Sequence, residues 1–175
     1  TIDFEAEDPH VAFTTIAGAD RFDTTVKTSQ AGFDSAATVV IATGENWPDA
    51  LGGAALAGAK GGPILLTRAA SLPPVVLAEI RRLGASEAII LGGESAVSPA
   101  VEKALADELG ENAVTRIGGA TRYETAERVA RAAREALGER YNGTCFVATG
   151  ESFPDSLAAS PLAAAQGWPL LLTGP

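Results

Sequence analysis

One stretch of the chain occurs twice. Thr43 to Thr67 reads TGENWPDALGGAALAGAKGGPILLT, and Thr149 to Thr173 reads TGESFPDSLAASPLAAAQGWPLLLT, with fourteen identities at an offset of 106. A second pair moves with it: Ile16 to Thr25 (IAGADRFDTT) returns at Ile117 to Ala126 (IGGATRYETA), offset by 101. The difference of five fits an insertion around Leu137 to Asn142. Such a duplication restricts the chain to folds that can be assembled from two copies of one supersecondary unit.

The unit itself alternates strand and helix signals. Ala37 to Thr43, Pro63 to Thr67 and Glu87 to Leu91 are apolar without polar alternation, the pattern of strands covered on both faces. Val11 to Ile16, Ala113 to Ile117, Thr144 to Thr149 and Pro169 to Thr173 complete seven strands. Six helices fall between them. Asp20 caps the first, which runs to about Gly32. Pro48 and Asp49 occupy the first turn of the second, where proline is tolerated and an acid meets the positive end of the dipole. That helix also contains Gly52, Gly53 and Gly58. Each costs ~1 kcal/mol relative to alanine, which is tolerable where another backbone must approach closely. Pro73-Pro74 open the third helix and Gly84 ends it, Ser98-Pro99 open the fourth, Thr121 and Glu124 form a capping box, and Pro154 to Gln166 is the last.

This order predicts an α/β fold with right-handed crossovers and parallel sheets. Residues 1–11 read as an acidic leader or linker, 12–112 as a first repeat, and 113–175 as a second, incomplete repeat. The second lacks counterparts of about residues 69 to 112. Its last strand, almost wholly apolar, is expected to need cover from the neighbouring first repeat, from a longer polypeptide of which this is a piece, or, by preference, from a second copy of the chain, with a C2 dimer as the default symmetry.

Composition removes several function classes. A net charge of −9 argues against nucleic acid. Arg128, Arg131 and Arg134 interleave with Glu127 and Glu135 as on a solvated helix face. No apolar run reaches the ~20 residues of a membrane span. There is no methionine, which reads as a mature or excised segment. The single Cys145 lies in an apolar run and reads as a small buried hydrophobe, since the only histidine is the remote His10. Ser-His-Asp and Cys-His catalysis are thereby set aside, as is a Cys/His metal cluster, and no cofactor is expected.

Four features carry possible chemistry. Gly92-Gly93-Glu94 and Gly118-Gly119-Ala120 each follow a strand and precede a helix, as phosphate cradles do, but neither forms G-x-G-x-x-G and no G-K-[ST] occurs. Glu45 with Asp49, and Glu151 with Asp155, are paired carboxylates near helix starts; capping explains the aspartates. Arg21 and Arg122 each sit just inside a helix start, where the dipole disfavours a cation by roughly 0.3–1 kcal/mol. A cation placed there twice calls for a partner, either Asp49 or Asp155 from the neighbouring loop or an acidic ligand. Asn142-Gly143-Thr144 matches a glycosylation sequon.

The segments IAGADRFDTT, TGENWPDAL, PILLT and ILGGESAVS, with the three that recur from Ile117 onward, resemble the type 2 cell-wall-binding repeats of Gram-positive surface proteins. The resemblance covers nearly everything from residue 12. It implies tandem Rossmann-like three-layer repeats, usually three packed about a pseudo-threefold axis. It also implies secretion to the cell wall and surface, and a non-catalytic role in attaching a passenger protein to an anionic cell-wall polymer. The Pro-x-Leu-Leu segments would lie near repeat contacts and the polymer groove. Because the chain is itself anionic, binding would need a local basic pocket, with Arg21 and Arg122 the best candidates and Asp49 and Asp155 beside them. The alternative from another class is a doubly wound enzyme acting on a phosphorylated or nucleotide ligand at Gly92-Gly93 or Gly118-Gly119; a third is a purely structural self-assembly domain.

Overall fold

Thr38–Thr43 (β1) is apolar on both faces, and every one of its residues is buried. The rest of the first sheet forms around it. In this computed structural model, which describes residues 14–46 and 48–174 without the side chains of Pro48 and Asp49, four parallel strands run in the order β2-β1-β3-β4. They are Ile64–Thr67 (β2), Glu87–Leu91 (β3) and Val114–Ile117 (β4) beside β1. A separate parallel pair joins Phe146–Thr149 (β5) to Leu170–Thr173 (β6). Phe146 stands opposite Leu170 as Val40 stands opposite Ile64, so the duplicated sequence reproduces the same register.

The helices are Arg21–Gly32 (α1), Pro48–Leu51 (α2), Gly53–Lys60 (α3), Pro74–Leu83 (α4), Pro99–Leu109 (α5), Arg122–Leu137 (α6) and Pro154–Gln166 (α7). One face of the four-stranded sheet, with Val39, Ile41, Leu65 and Ile90, packs on Phe22 and Val26 of α1, Val76, Ile80 and Leu83 of α4, and Val101 and Leu105 of α5. The opposite face, with Val40, Ala42, Ile89 and Leu91, packs on α3. Beyond α3 the same cluster takes in Val129 and Ala133 of α6 and Ala163 of α7. The first unit's α3 is therefore enclosed between its own sheet and the helices of the second.

The close-approach expectation for the glycines holds at Gly58. A Cβ there would lie 2.4 Å from the carbonyl oxygen of Ala164, on α7. Glycine is what allows the two helices to meet backbone to backbone.

Several expectations need correction. The helix predicted from Pro48 is two helices, α2 and α3, separated by Gly52, which keeps near-helical angles (φ −71°, ψ −16°). Of the strand expected at Val11 to Ile16, residues 14–16 are not in a strand and 11–13 lie outside the described residues, as does the acidic leader. Six strands, not seven, are present among the described residues. β4, which opens the second copy in sequence, pairs with β3 of the first: Ile90 stands beside Arg116.

The second copy is covered less completely than the first. Val147 is 65% exposed, whereas its counterpart Ile41 is fully buried against α1, α4 and α5. Cys145, read as a buried hydrophobe, is exposed. Its counterpart Val39 is buried in the cluster that holds α4 and α5, and the described residues include no second α4 or α5.

Candidate functional site

The two copies share one local construction where the loop after the first strand meets the start of the preceding helix. Asp20 caps α1 by accepting from the amides of Phe22 and Asp23, and Asp23 accepts from Ala19 N–H at 2.8 Å. That amide, with Lys27, holds the Asp23 carboxyl below its usual range despite partial desolvation. Thr121 caps α6 through the Glu124 amide, and Glu124 accepts from Ala120 N–H at 2.8 Å. That amide, together with Arg128, lowers the Glu124 carboxyl in the same way. Both helix starts are thus satisfied from within, and both hold a carboxylate.

Arg21 and Arg122 turn away from those caps toward the next loop. Arg21 Nη1 donates to the Gly44 carbonyl, and Arg122 Nη1 donates to the Gly150 carbonyl at 2.6 Å. Each guanidinium thus has a loop carbonyl as one partner. An aromatic ring fills the same corner in each copy: a Cβ on Gly44 would lie 2.8 Å from the Phe22 ring, and one on Gly150 would lie 2.5 Å from Tyr123. Tyr123 then donates to Glu151 at 2.9 Å, which raises the phenol above its ordinary value. Arg68 lies 4.8 Å above the Phe22 ring, 3.9 Å from Asp20.

Two adjoining cavities open beside these clamps. One, of about 290 Å³, is bordered by Arg21, Glu45, Asn46, Leu66 and Phe153. The other, of about 180 Å³, is bordered by Asn46, Ser95, Thr121, Arg122 and the Gly93 and Gly119 turns. Asn46 is common to both. Together they form a trough over the carboxyl ends of β1, β3 and β4, where open parallel sheets characteristically bind ligands. The structure brings both arginines and both glycine turns to this trough. Asp155 is exposed in the first turn of α7 and lines neither cavity, and the Asp49 side chain lies outside the described residues. Asn46 and Ser95 had no sequence signal beyond being polar residues in loops that follow strands. Among the described residues no cluster of His, Cys, Asp and Glu is placed to hold a metal. No described helix is long and apolar enough to cross a membrane.

The duplicated clamp is the internal signature of a repeat, and comparison identifies which repeat it is. The model of cell wall binding domain 2 matches residues 15–102 and again residues 116–175. The chain belongs to this family. Its two matches to cell wall binding domain 2 fall on the two copies of the clamp. Among curated relatives, the chain is 31% identical over 160 residues to the N-acetylmuramoyl-L-alanine amidase LytC of Bacillus subtilis, covering 90% of this chain and 30% of that protein. It is 33% identical over 157 residues to the amidase enhancer of the same organism, covering 90% and 21%. Cwp6 from Clostridium difficile superposes with a TM-score of 0.82 at 29% identity, over 98% of this chain and 28% of Cwp6. The chain therefore spans less than a third of each of these relatives.

Proposed function

We propose that the chain is a non-catalytic attachment module of a secreted protein, and that it binds an anionic secondary polymer of the cell wall at the trough over the strand ends. The observation that carries this reading is the sharing of one region, within the cell wall binding domain 2 family, by proteins of different names: an amidase, an amidase enhancer and Cwp6. A segment common to such proteins is better explained by where they reside than by one reaction. The trough adds a chemical reason, since it brings two guanidinium groups, with hydroxyl and amide side chains and one carboxylate, Glu45, to one place on a chain whose net charge is −9. Screening over ~8–10 Å leaves such local charges decisive at short range. The glycine turns shape the trough without forming a nucleotide cradle. Retention on Bacillus subtilis cell walls, before and after acid removal of secondary polymers, tests the proposal. Binding to intact walls and its loss on stripped walls is the expected result; retention on stripped walls, or no binding to intact walls, overturns it.

In this reading Arg21 and Arg122 have two tasks, holding the loop carbonyls of Gly44 and Gly150 and meeting the polymer at the trough that both line. The double variant R21A/R122A is expected to melt a few degrees lower through loss of charge-assisted bonds worth roughly 1.5–3 kcal/mol each at most. It is also expected to bind walls about tenfold less tightly per folded molecule, with a shallower salt dependence. Lower stability with unchanged wall binding would limit both arginines to holding the loops.

The partners follow from the same reading: the polymer in the trough and further repeats of the same kind against the uncovered faces of the two copies.

A further inference from the structure

The chain contains three asparagines, and they differ in the residue that follows: Trp47 after Asn46, Ala113 after Asn112 and Gly143 after Asn142. The following amide nitrogen is the atom that can attack an asparagine side chain and close a ring onto it. A side chain on that next residue hinders the approach, and glycine has none. Asn142 also stands at the end of the insertion that separates the second copy from the first.

After α6 the chain makes a 3-10 turn at Gly138–Arg140 and then an open connection to β5. Asn142, Gly143 and Thr144 are all exposed. Asn142 Oδ1 accepts from the Thr144 amide at 3.0 Å, which folds the side chain back over its own following backbone instead of out into solvent. Gly143 has φ +86°, the left-handed region that glycine adopts without steric cost, and a Cβ there would meet nothing within 4 Å. Among the described residues its N–H has no acceptor. Asn112 provides the contrast. It lies in the 3-10 turn Glu111–Ala113, and the Ala113 N–H that would have to attack is bonded to the Gly110 carbonyl at 3.0 Å.

We propose that Asn142 is a site of spontaneous deamidation in the folded chain. The Gly143 nitrogen, deprotonated by hydroxide, bonds to Asn142 Cγ. The bond from Cγ to the side-chain nitrogen breaks, and that nitrogen leaves as ammonia. The product is a succinimide ring, and water then adds to one of its carbonyls and opens it. Addition at Cγ gives aspartate; addition at the backbone carbonyl gives isoaspartate, whose main chain runs through Cβ and Cγ. Unlike glycosylation of the sequon that these residues also match, the reaction needs no enzyme. Each conversion exchanges a neutral amide for a carboxylate. Isoaspartate also lengthens by one methylene the connection between Arg140, which donates to the Ala59 carbonyl of the first unit at 3.2 Å, and Phe146, which is held in register with Leu170. This inference stands independently of polymer binding.

Incubation of the folded chain at neutral and mildly alkaline pH tests it, read by anion exchange, tryptic mapping and enzymatic methylation of isoaspartate. One acidic variant is expected to accumulate, faster at the higher pH. The exchange of amide for acid should fall on the tryptic peptide that begins at Tyr141, while the peptides holding Asn46 and Asn112 stay unchanged over the same period. G143A is expected to slow the conversion. N142Q is expected to lose the acidic variant altogether, because glutamine must close a larger ring. Circular dichroism melts check that both variants are folded, and N142Q decides the question if alanine is not accommodated at the left-handed position. Absence of the acidic variant, its persistence in N142Q, conversion at Asn46 or Asn112 ahead of Asn142, or conversion confined to chains unfolded in urea would each overturn the inference.

Discussion

Replacing Glu79 by alanine is expected to cost about 2–4 kcal/mol at neutral pH, the largest loss of any single substitution considered for this chain. Glu79 lies on α4 with its carboxylate wholly buried, yet α4 is amphipathic and covers the sheet with Val76, Ile80 and Leu83. Its oxygens accept from Ser29 Oγ at 2.6 Å and from Arg82 at 2.7 and 2.8 Å, with Gln30 at 3.3 Å. Arg82 also donates to the Phe33 and Asp34 carbonyls, so this cluster ties α4 to the end of α1. Removing the carboxylate leaves the buried Ser29 hydroxyl and the Arg82 fork without their acceptor. The figure sits below that for a fully buried pair because Arg82 is 36% exposed. For a domain of this size the loss corresponds to a fall in Tm on the order of 5–15 °C.

The same cluster predicts a pH dependence. Burial alone would raise the Glu79 carboxyl, but the bonds from Arg82, Ser29 and Gln30 together hold it below its ordinary value of 4.5. A carboxyl lowered in the folded state contributes stability that is present above the unfolded value and lost as pH falls through the folded one. Thermal melts of the parent and E79Q are therefore expected to converge as pH drops below about 4.5, since glutamine keeps the shape and removes the titration. E79A melting with the parent at neutral pH, or a gap between E79Q and the parent that persists in acid, would show that the cluster does not hold α4.

The second expected result concerns the contact between units. G58A should destabilise the chain by about 1–2 kcal/mol, although glycine to alanine normally favours a helix by ~1 kcal/mol. The added methyl would lie 2.4 Å from the Ala164 oxygen and 2.9 Å from its carbonyl carbon and Cα, all backbone atoms with no rotamer to yield. Gly32, in the last turn of α1, provides the control, because a Cβ there meets nothing within 4 Å. G32A is expected to match or exceed the parent in stability. Paired denaturant titrations of G58A and G32A measure the difference. Equal or greater stability of G58A would mean that the units are not held by close backbone approach.

The sequence by itself determined whatever depends on a few adjacent residues. The duplication, the caps at Asp20 and Thr121, the proline-opened helices at Pro74, Pro99 and Pro154, and the apolar strands β1, β2 and β3 all follow from short-range chemistry. The need for a partner at Arg21 and Arg122 was also legible, because the helix dipole acts within one turn. The partner itself was not. The carbonyls of Gly44 and Gly150 lie 23 and 28 residues away, and every residue carries such an acceptor, so no side-chain pattern marks these two. Tertiary structure alone decided that Gly58 meets Ala164, its own counterpart in the duplicated helix. It alone decided that β4 joins the sheet of the preceding copy. Cys145 and Val147 show why such outcomes escape a linear reading. Their apolar run resembles that of Val39 and Ile41, but burial depends on which helices cover the sheet, and among the described residues only the first copy has α4 and α5 above it.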